Sequence, residues 1–139
     1  METIGQYKSR FLAGPMTWSF CVGEMKELAE AVSDRDWQHV HEEWNDVTLC
    51  LQAWFSEYLP INWTPILPGF GLFSARKFAA RIAVWQQIFE HHGVDFRKEF
   101  LFAGSNYRKR HKVVNVLRQG GCEEVDFEWV DSLVGGFEG

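Results

Sequence analysis

The chain has 139 residues, 46% of them hydrophobic and 24% charged, which suits one globular domain with a substantial core and leaves little room for a second. Its 14 basic residues against 19 acidic give a net charge of −5, which argues against a general nucleic-acid binder. Any anion site has to be local. No apolar run is long enough to span a bilayer, and the opening METIGQYKSRFLAGPM lacks the basic-then-apolar layout of a signal peptide, so a cytoplasmic protein with no membrane partner is expected.

The first expected helix begins near Pro15, which suits a first turn, and carries Phe20, Leu28, Ala31 and Val32. Ser33-Asp34 offers capping chemistry for a second helix, in which Trp37, Val40, Trp44, Val47, Leu51 and Trp54 recur at three- and four-residue steps to about Tyr58. From Leu59 to Phe73, three prolines and two glycines exclude a continuous helix and predict a long loop with apolar anchors. Ser74 then caps a third helix with Phe78, Ile82, Trp85 and Phe89, stopped by Gly93. Phe96 to Phe102 carries no clear signal; a turn at Ala103–Asn106 leads to a helix from about Tyr107 that ends at Gly120-Gly121. The tail from Cys122 is acidic, with apolar Phe127, Trp129, Val130 and Leu133. With no repeat and no alternating strand pair, an all-α bundle of about four to five helices is expected, a single domain over residues 1–139. Trp44, Trp54 and Trp85 fall on its periodic apolar faces.

Cys21, Cys50 and Cys122 have no CxxC spacing and read as reduced structural thiols, and Asn62-Trp63-Thr64 reads as an accidental sequon. The carboxylates carry more information. Residues three apart share a helical face, so Glu24 pairs with Glu27 and Glu43 with Asp46. Measured from the turn near Ser33-Asp34, both pairs sit roughly 10 to 14 Å from the hairpin end, so antiparallel packing brings them to similar heights. Four converging carboxylates repel one another unless a cation neutralises them, and an all-oxygen set suits Mg²⁺ or Mn²⁺. Each acid alone would read as solvated surface. A ferritin-like di-iron site would need Glu-x-x-His, and none of His39, His41, His91, His92 or His111 has a glutamate three residues before it. His39 and His41 diverge on a helix, and His91-His92 suit a helix end, so zinc is not expected either.

Glu24-x-x-Glu27, a gap of fifteen residues and Glu43-x-x-Asp46, in the contexts EMKELAEA and HEEWNDV, resemble the ExxE…ExxD signature of the MazG-like all-α nucleoside triphosphate pyrophosphohydrolases, related to dimeric dUTPases. The match covers about residues 17 to 55; Gly23 stands where the family often has another glutamate, and the aromatic content and the Pro-Gly loop also depart from it. The resemblance implies a helical fold, Mg²⁺ held by Glu24, Glu27, Glu43 and Asp46, hydrolysis of a nucleoside triphosphate to the monophosphate and pyrophosphate, and assembly as a homodimer or homotetramer. A carboxylate not fully engaged by metal would accept the proton of the attacking water, with Glu27 and Glu43 both candidates. Glu30 and Glu42 are second-rank acids or plain surface.

Lys77-Phe78-x-x-Arg81 resembles text that follows the metal helices in some relatives, and SNYRKRHK supplies Asn106, Arg108, Lys109, Arg110 and Lys112 as a second source of phosphate contacts. Trp18, Phe20 or Trp63 could stack on a base. Two other readings stand beside this one: a non-catalytic oligomeric module binding a nucleotide or protein, in which Glu27→Gln or Asp46→Asn would relieve repulsion and raise stability, and a phosphohydrolase of other specificity on the same scaffold.

Overall fold

A computed structural model describes residues 2–101 and 106–138. Phe102 and the expected turn residues Ala103, Gly104 and Ser105 lie outside that set. The described chain is all-helical: six α-helices and one 3-10 helix, with a lone antiparallel bridge between Thr3 and Pro65. The chain divides into two compact units, Met1–Phe78 and Ala79–Gly139, and each has its own buried apolar cluster. Among the described residues, no helix is long and apolar enough to cross a membrane.

Two of the six α-helices fall where the sequence pattern marked none, one near the N-terminus and one in the acidic tail. The N-terminal α1 (Ile4–Phe11) opens on a capping box: the Gln6 amide donates to Thr3 Oγ1 at 3.2 Å and the Thr3 amide to Gln6 Oε1 at 2.9 Å. The Thr-x-x-Gln spacing that signals it is present in the sequence. Ile4 and Tyr7 are buried by this helix against Cys50, Ala53 and Ile66 in the first core. The second addition is α6 in the acidic tail, below.

α2 (Trp18–Ser33) is capped by Thr17 rather than started by Pro15, and α3 (Trp37–Phe55) is capped by Asp36 rather than by Ser33 or Asp34. Ser33 is the last residue of α2 and Asp34 its C-cap. Only three residues, Asp34 to Asp36, join the two helices, which forces an antiparallel hairpin whose helices make the most extensive helix–helix contact among the described residues. Leu49, Cys50 and Ala53 of α3 enter the core with Cys21 of α2. Trp44 does not: it is exposed, and its indole Nε1 donates to the Gly69 carbonyl at 2.9 Å. Trp54 is half-buried, with its ring against those of Trp18, Phe55 and Tyr58.

The Pro-Gly segment after α3 is a loop, pinned at two places within the first unit. Its earlier part lies along α1, where the amides of Ile4 and Gly5 donate to the carbonyls of Thr64 (2.9 Å) and Asn62 (2.8 Å), and the Ile66 amide to Glu2 (2.9 Å). Its later part is held by α3 and delivers the chain into α4 (Leu72–His91). Ser74 is therefore inside α4, not its cap.

In the second unit the later turns of α4 bury Trp85, Ile88 and Phe89 with Val113, Val116 and Leu117 of α5 (Arg110–Gln119) and Val130 of α6 (Phe127–Val134). Leu101 joins them from the 3-10 helix Lys98–Leu101, which occupies the segment without a clear sequence signal. Tyr107 precedes α5 and packs edge-on against Trp85. The tail is held by the two histidines at the end of α4. His91 stacks on Trp129 with ring centroids 3.8 Å apart and hydrogen-bonds Asp126 Oδ2 at 3.0 Å, while the Asp126 amide donates to His92 Nε2 at 2.9 Å. The same Asp126 caps α6, and the hydrogen bond from His91 holds its carboxyl below the usual range.

Candidate metal centre

The α2–α3 hairpin brings three of the four expected carboxylates together. One carboxylate oxygen from each of Glu24, Glu27 and Glu43 lies within 4.8 Å of the others. The three differ in exposure. Glu43 is buried, with 8% of its surface accessible, Glu24 is intermediate and Glu27 is open to solvent. The Oε2 atoms of Glu24 and Glu43 are both buried without a hydrogen-bond partner.

Such a cluster is electrostatically costly as it stands. Burial, then the charges of Glu27, Asp46 and Glu43, push the Glu24 carboxyl up to about 7. Glu43 is also raised, first by burial and then by Asp46 and Glu27, with the hydrogen bond to His39 acting the other way. That bond joins His39 Nε2 to Glu43 Oε1 at 2.9 Å, four residues apart on α3.

Asp46 is near enough to raise both glutamates, yet its carboxylate is committed elsewhere. Its Oδ1 accepts a short hydrogen bond from the Ser74 hydroxyl and another from Lys77 Nζ at 3.2 Å; Oδ2 is 3.4 Å from the same ammonium. The residue expected as a fourth metal ligand is thus paired with the lysine expected as a phosphate contact. Ser74 and Lys77 are three apart on α4, one helical face, and that spacing was the available signal for a joint role. Ser74 is fully buried, so its hydroxyl serves Asp46 and is closed to attack on a substrate.

Side chains of α3 hold α4 in this position. Asn45, fully buried, accepts from the Gly71 amide at 3.0 Å through Oδ1 and donates to the His41 carbonyl at 3.0 Å. Gln52 donates to the Phe70 carbonyl and Trp44 to that of Gly69. Gly71 has φ +117, and a Cβ there would sit 3.0 Å from Leu49 Cβ, so this crossing of loop and helix needs glycine. Position and polarity of the hairpin's acidic face therefore depend on loop residues 18 to 26 positions further along the chain.

The donors at the centre are all hard oxygens, and two of them are buried and unpartnered. Such a donor set would suit a hard divalent cation, which would satisfy those oxygens and cancel the mutual repulsion. The nearby thiols are poor competitors for such an ion. Cys21 and Cys50 are free and buried, with their thiols pushed up by burial and kept protonated. Tyr7, buried in the same core, has its hydroxyl pushed up first by burial and further by the acidic groups around it, Asp46 and Glu24 among them.

The expected substrate contacts fall in different places. Trp18 is the first residue of α2, half exposed, with its ring tilted against Trp54 at 5.0 Å. Arg81, Asn106, Arg108 and Lys109 belong to the second unit. Asn106 spends its side-chain oxygen on the Arg108 amide at 3.0 Å, the Arg108 carbonyl accepts from the Glu138 amide at 2.8 Å, and Lys109 is the N-cap residue of α5. Arg110 lies over the rings of Phe127 and Phe137, 5.5 and 4.9 Å from their centroids. His39, Ser74 and Asn45 are the residues around the acidic centre that sequence reasoning did not assign to it. A scan against protein-family models, a search of curated proteins and a search of solved structures each found no match to this chain.

Proposed function

We propose that Glu24, Glu27 and Glu43 hold a divalent cation, Mg²⁺ with Mn²⁺ as a substitute, and that the protein hydrolyses a nucleoside triphosphate to the monophosphate and pyrophosphate. The observation that carries this reading is the three-carboxylate convergence with two buried, unpartnered oxygens, on the residues that bear the ExxE…ExxD resemblance. When bound, the ion supplies charge neutralisation for phosphate oxygens and acidifies a water. Glu27 is the exposed member, so its carboxylate is the one that can take a proton from water at the centre. Glu43, buried and held by His39, orients rather than transfers. Lys77 can turn its charge toward a phosphate only by leaving Asp46, and that exchange would free Asp46 as a further ligand.

The test is a panel of ribo- and deoxyribonucleoside triphosphates with Mg²⁺, products resolved by chromatography. Monophosphate and pyrophosphate should appear, vanish in EDTA, and fall by at least about a hundredfold in rate in Glu27→Gln, the usual scale for losing a general base. A second reading is favoured by the exposed aromatic side chains of the first unit, among them Trp37, Tyr58 and Trp63: a homodimeric or homotetrameric binding module without turnover. Folded, metal-loaded protein that leaves every nucleotide intact would support it.

A further inference from the structure

We infer that His39 is a positioning residue for the acidic centre, holding one oxygen of Glu43 so that the other is presented to a cation shared with Glu24 and Glu27. The inference rests on the metal reading above. A carboxylate that holds a cation is ionised and only accepts, so in that state the 2.9 Å contact is a hydrogen bond donated by His39 Nε2–H to Glu43 Oε1. With Oε1 committed, Oε2 remains, buried and without a partner.

Exposed His–Glu pairs four apart on a helix are common and weak. This one differs in the asymmetry of its partners. The His39 side chain is 51% exposed, whereas that of Glu43 is 10% exposed and carries the unsatisfied atom. The terminal torsion of a glutamate is broad and nearly two-fold, so a buried carboxylate with neither oxygen held could present either one in many orientations. His39 removes that freedom. Its own backbone is fixed, because its amide donates to the α3 cap Asp36 at 3.3 Å, and the one-turn spacing sets the ring directly over Glu43. Outer hydrogen bonds of this kind commonly change metal affinity without touching the ion.

Metal-free full-length protein should be titrated with Mn²⁺ and the free ion followed by its electron paramagnetic resonance signal. Wild type should bind, and Glu43→Gln should bind far more weakly. His39→Ala should weaken the dissociation constant by about 10- to 100-fold. His39→Gln, which keeps an N–H donor one turn from Glu43, should recover most of that loss. Because His39 is half exposed, the alanine variant should stay fully folded at the titration temperature by circular dichroism, which separates weakened binding from unfolding. Wild-type affinity in His39→Ala would overturn the positioning role while leaving the metal centre intact. Failure of wild type itself to bind Mn²⁺ would overturn the proposed function, and the positioning role with it.

Discussion

Glu24 and Asp46 lie close together and respond oppositely to loss of charge. Glu24 has no counter-ion among the described contacts, and its carboxyl is raised from 4.5 to about 7. Below pH 4.5 it is protonated folded or unfolded and contributes nothing. Between the two values the native state holds a proton that the unfolded state has released, so stability falls as pH rises, and above about 7 the full penalty persists. In EDTA, Glu24→Gln should therefore be as stable as wild type at pH 4 and more stable at pH 8, with the gap opening across that interval in urea titrations. Asp46→Asn should do the reverse and lose about 1.5–3 kcal/mol, the scale for a hydrogen bond to a charged group, because it strips Lys77 of its counter-ion. The binding-module reading expected a gain from this substitution through relief of repulsion. Urea unfolding at pH 6, where Glu24 is largely protonated and the repulsion is small, gives the cleanest comparison.

At the scale of elements, three helices end with the same backbone device. The amide of the second residue past the cap reaches five residues back, and the preceding amide three back, in a Schellman motif. α4 does this at Gly93, α5 at Gly121 and α2 at Arg35, where φ is +55. For a residue with a Cβ that conformation costs about 1–2 kcal/mol, and glycine gives back about half through its unfolded-state entropy. Arg35→Gly should stabilise the protein by about 0.5–1 kcal/mol, read as an upward shift of the urea midpoint at unchanged slope. Arg35 is exposed and sits between the two acidic helices, so the same variant tests whether the short connection alone maintains the Glu24–Glu27–Glu43 geometry: Mn²⁺ affinity should stay at the wild-type value.

At the scale of the whole molecule, the acidic centre belongs to one compact unit and the densest basic run to the other. Each unit closes its own core, the first around Ile4, Leu49 and Ile66 and the second around Trp85, Phe89 and Val116. A ligand that bridges α2 and α3 should therefore act unevenly. Hydrogen exchange followed by mass spectrometry should show slower exchange in Trp18–Phe55 on adding Mn²⁺, with Arg110–Gln119 and Phe127–Val134 unchanged. Equal protection across both units, or none in α2 and α3, would contradict an ion held by the hairpin.

Read alone, the sequence determined the helical class, the α2–α3 hairpin and the spacing of Glu24, Glu27 and Glu43, because three- and four-residue periodicity and one-turn spacing are local properties of a helix. Local chemistry also marked α1, through Thr3 and Gln6, though a single capping box in a short segment is easily passed over. Only the tertiary structure decided the fate of Asp46. Its spacing from Glu43 is that of a metal ligand, but the loop carried past α3 by Asn45, Gln52 and Trp44 brings Ser74 and Lys77 to it, and pairing across 28 and 31 residues leaves no periodic trace. The same holds for Trp44 and the acidic tail: an apolar ring on a periodic face, or a short helix capped by Asp126, finds its place only when a distant carbonyl or histidine arrives to accept or complete its hydrogen bonds.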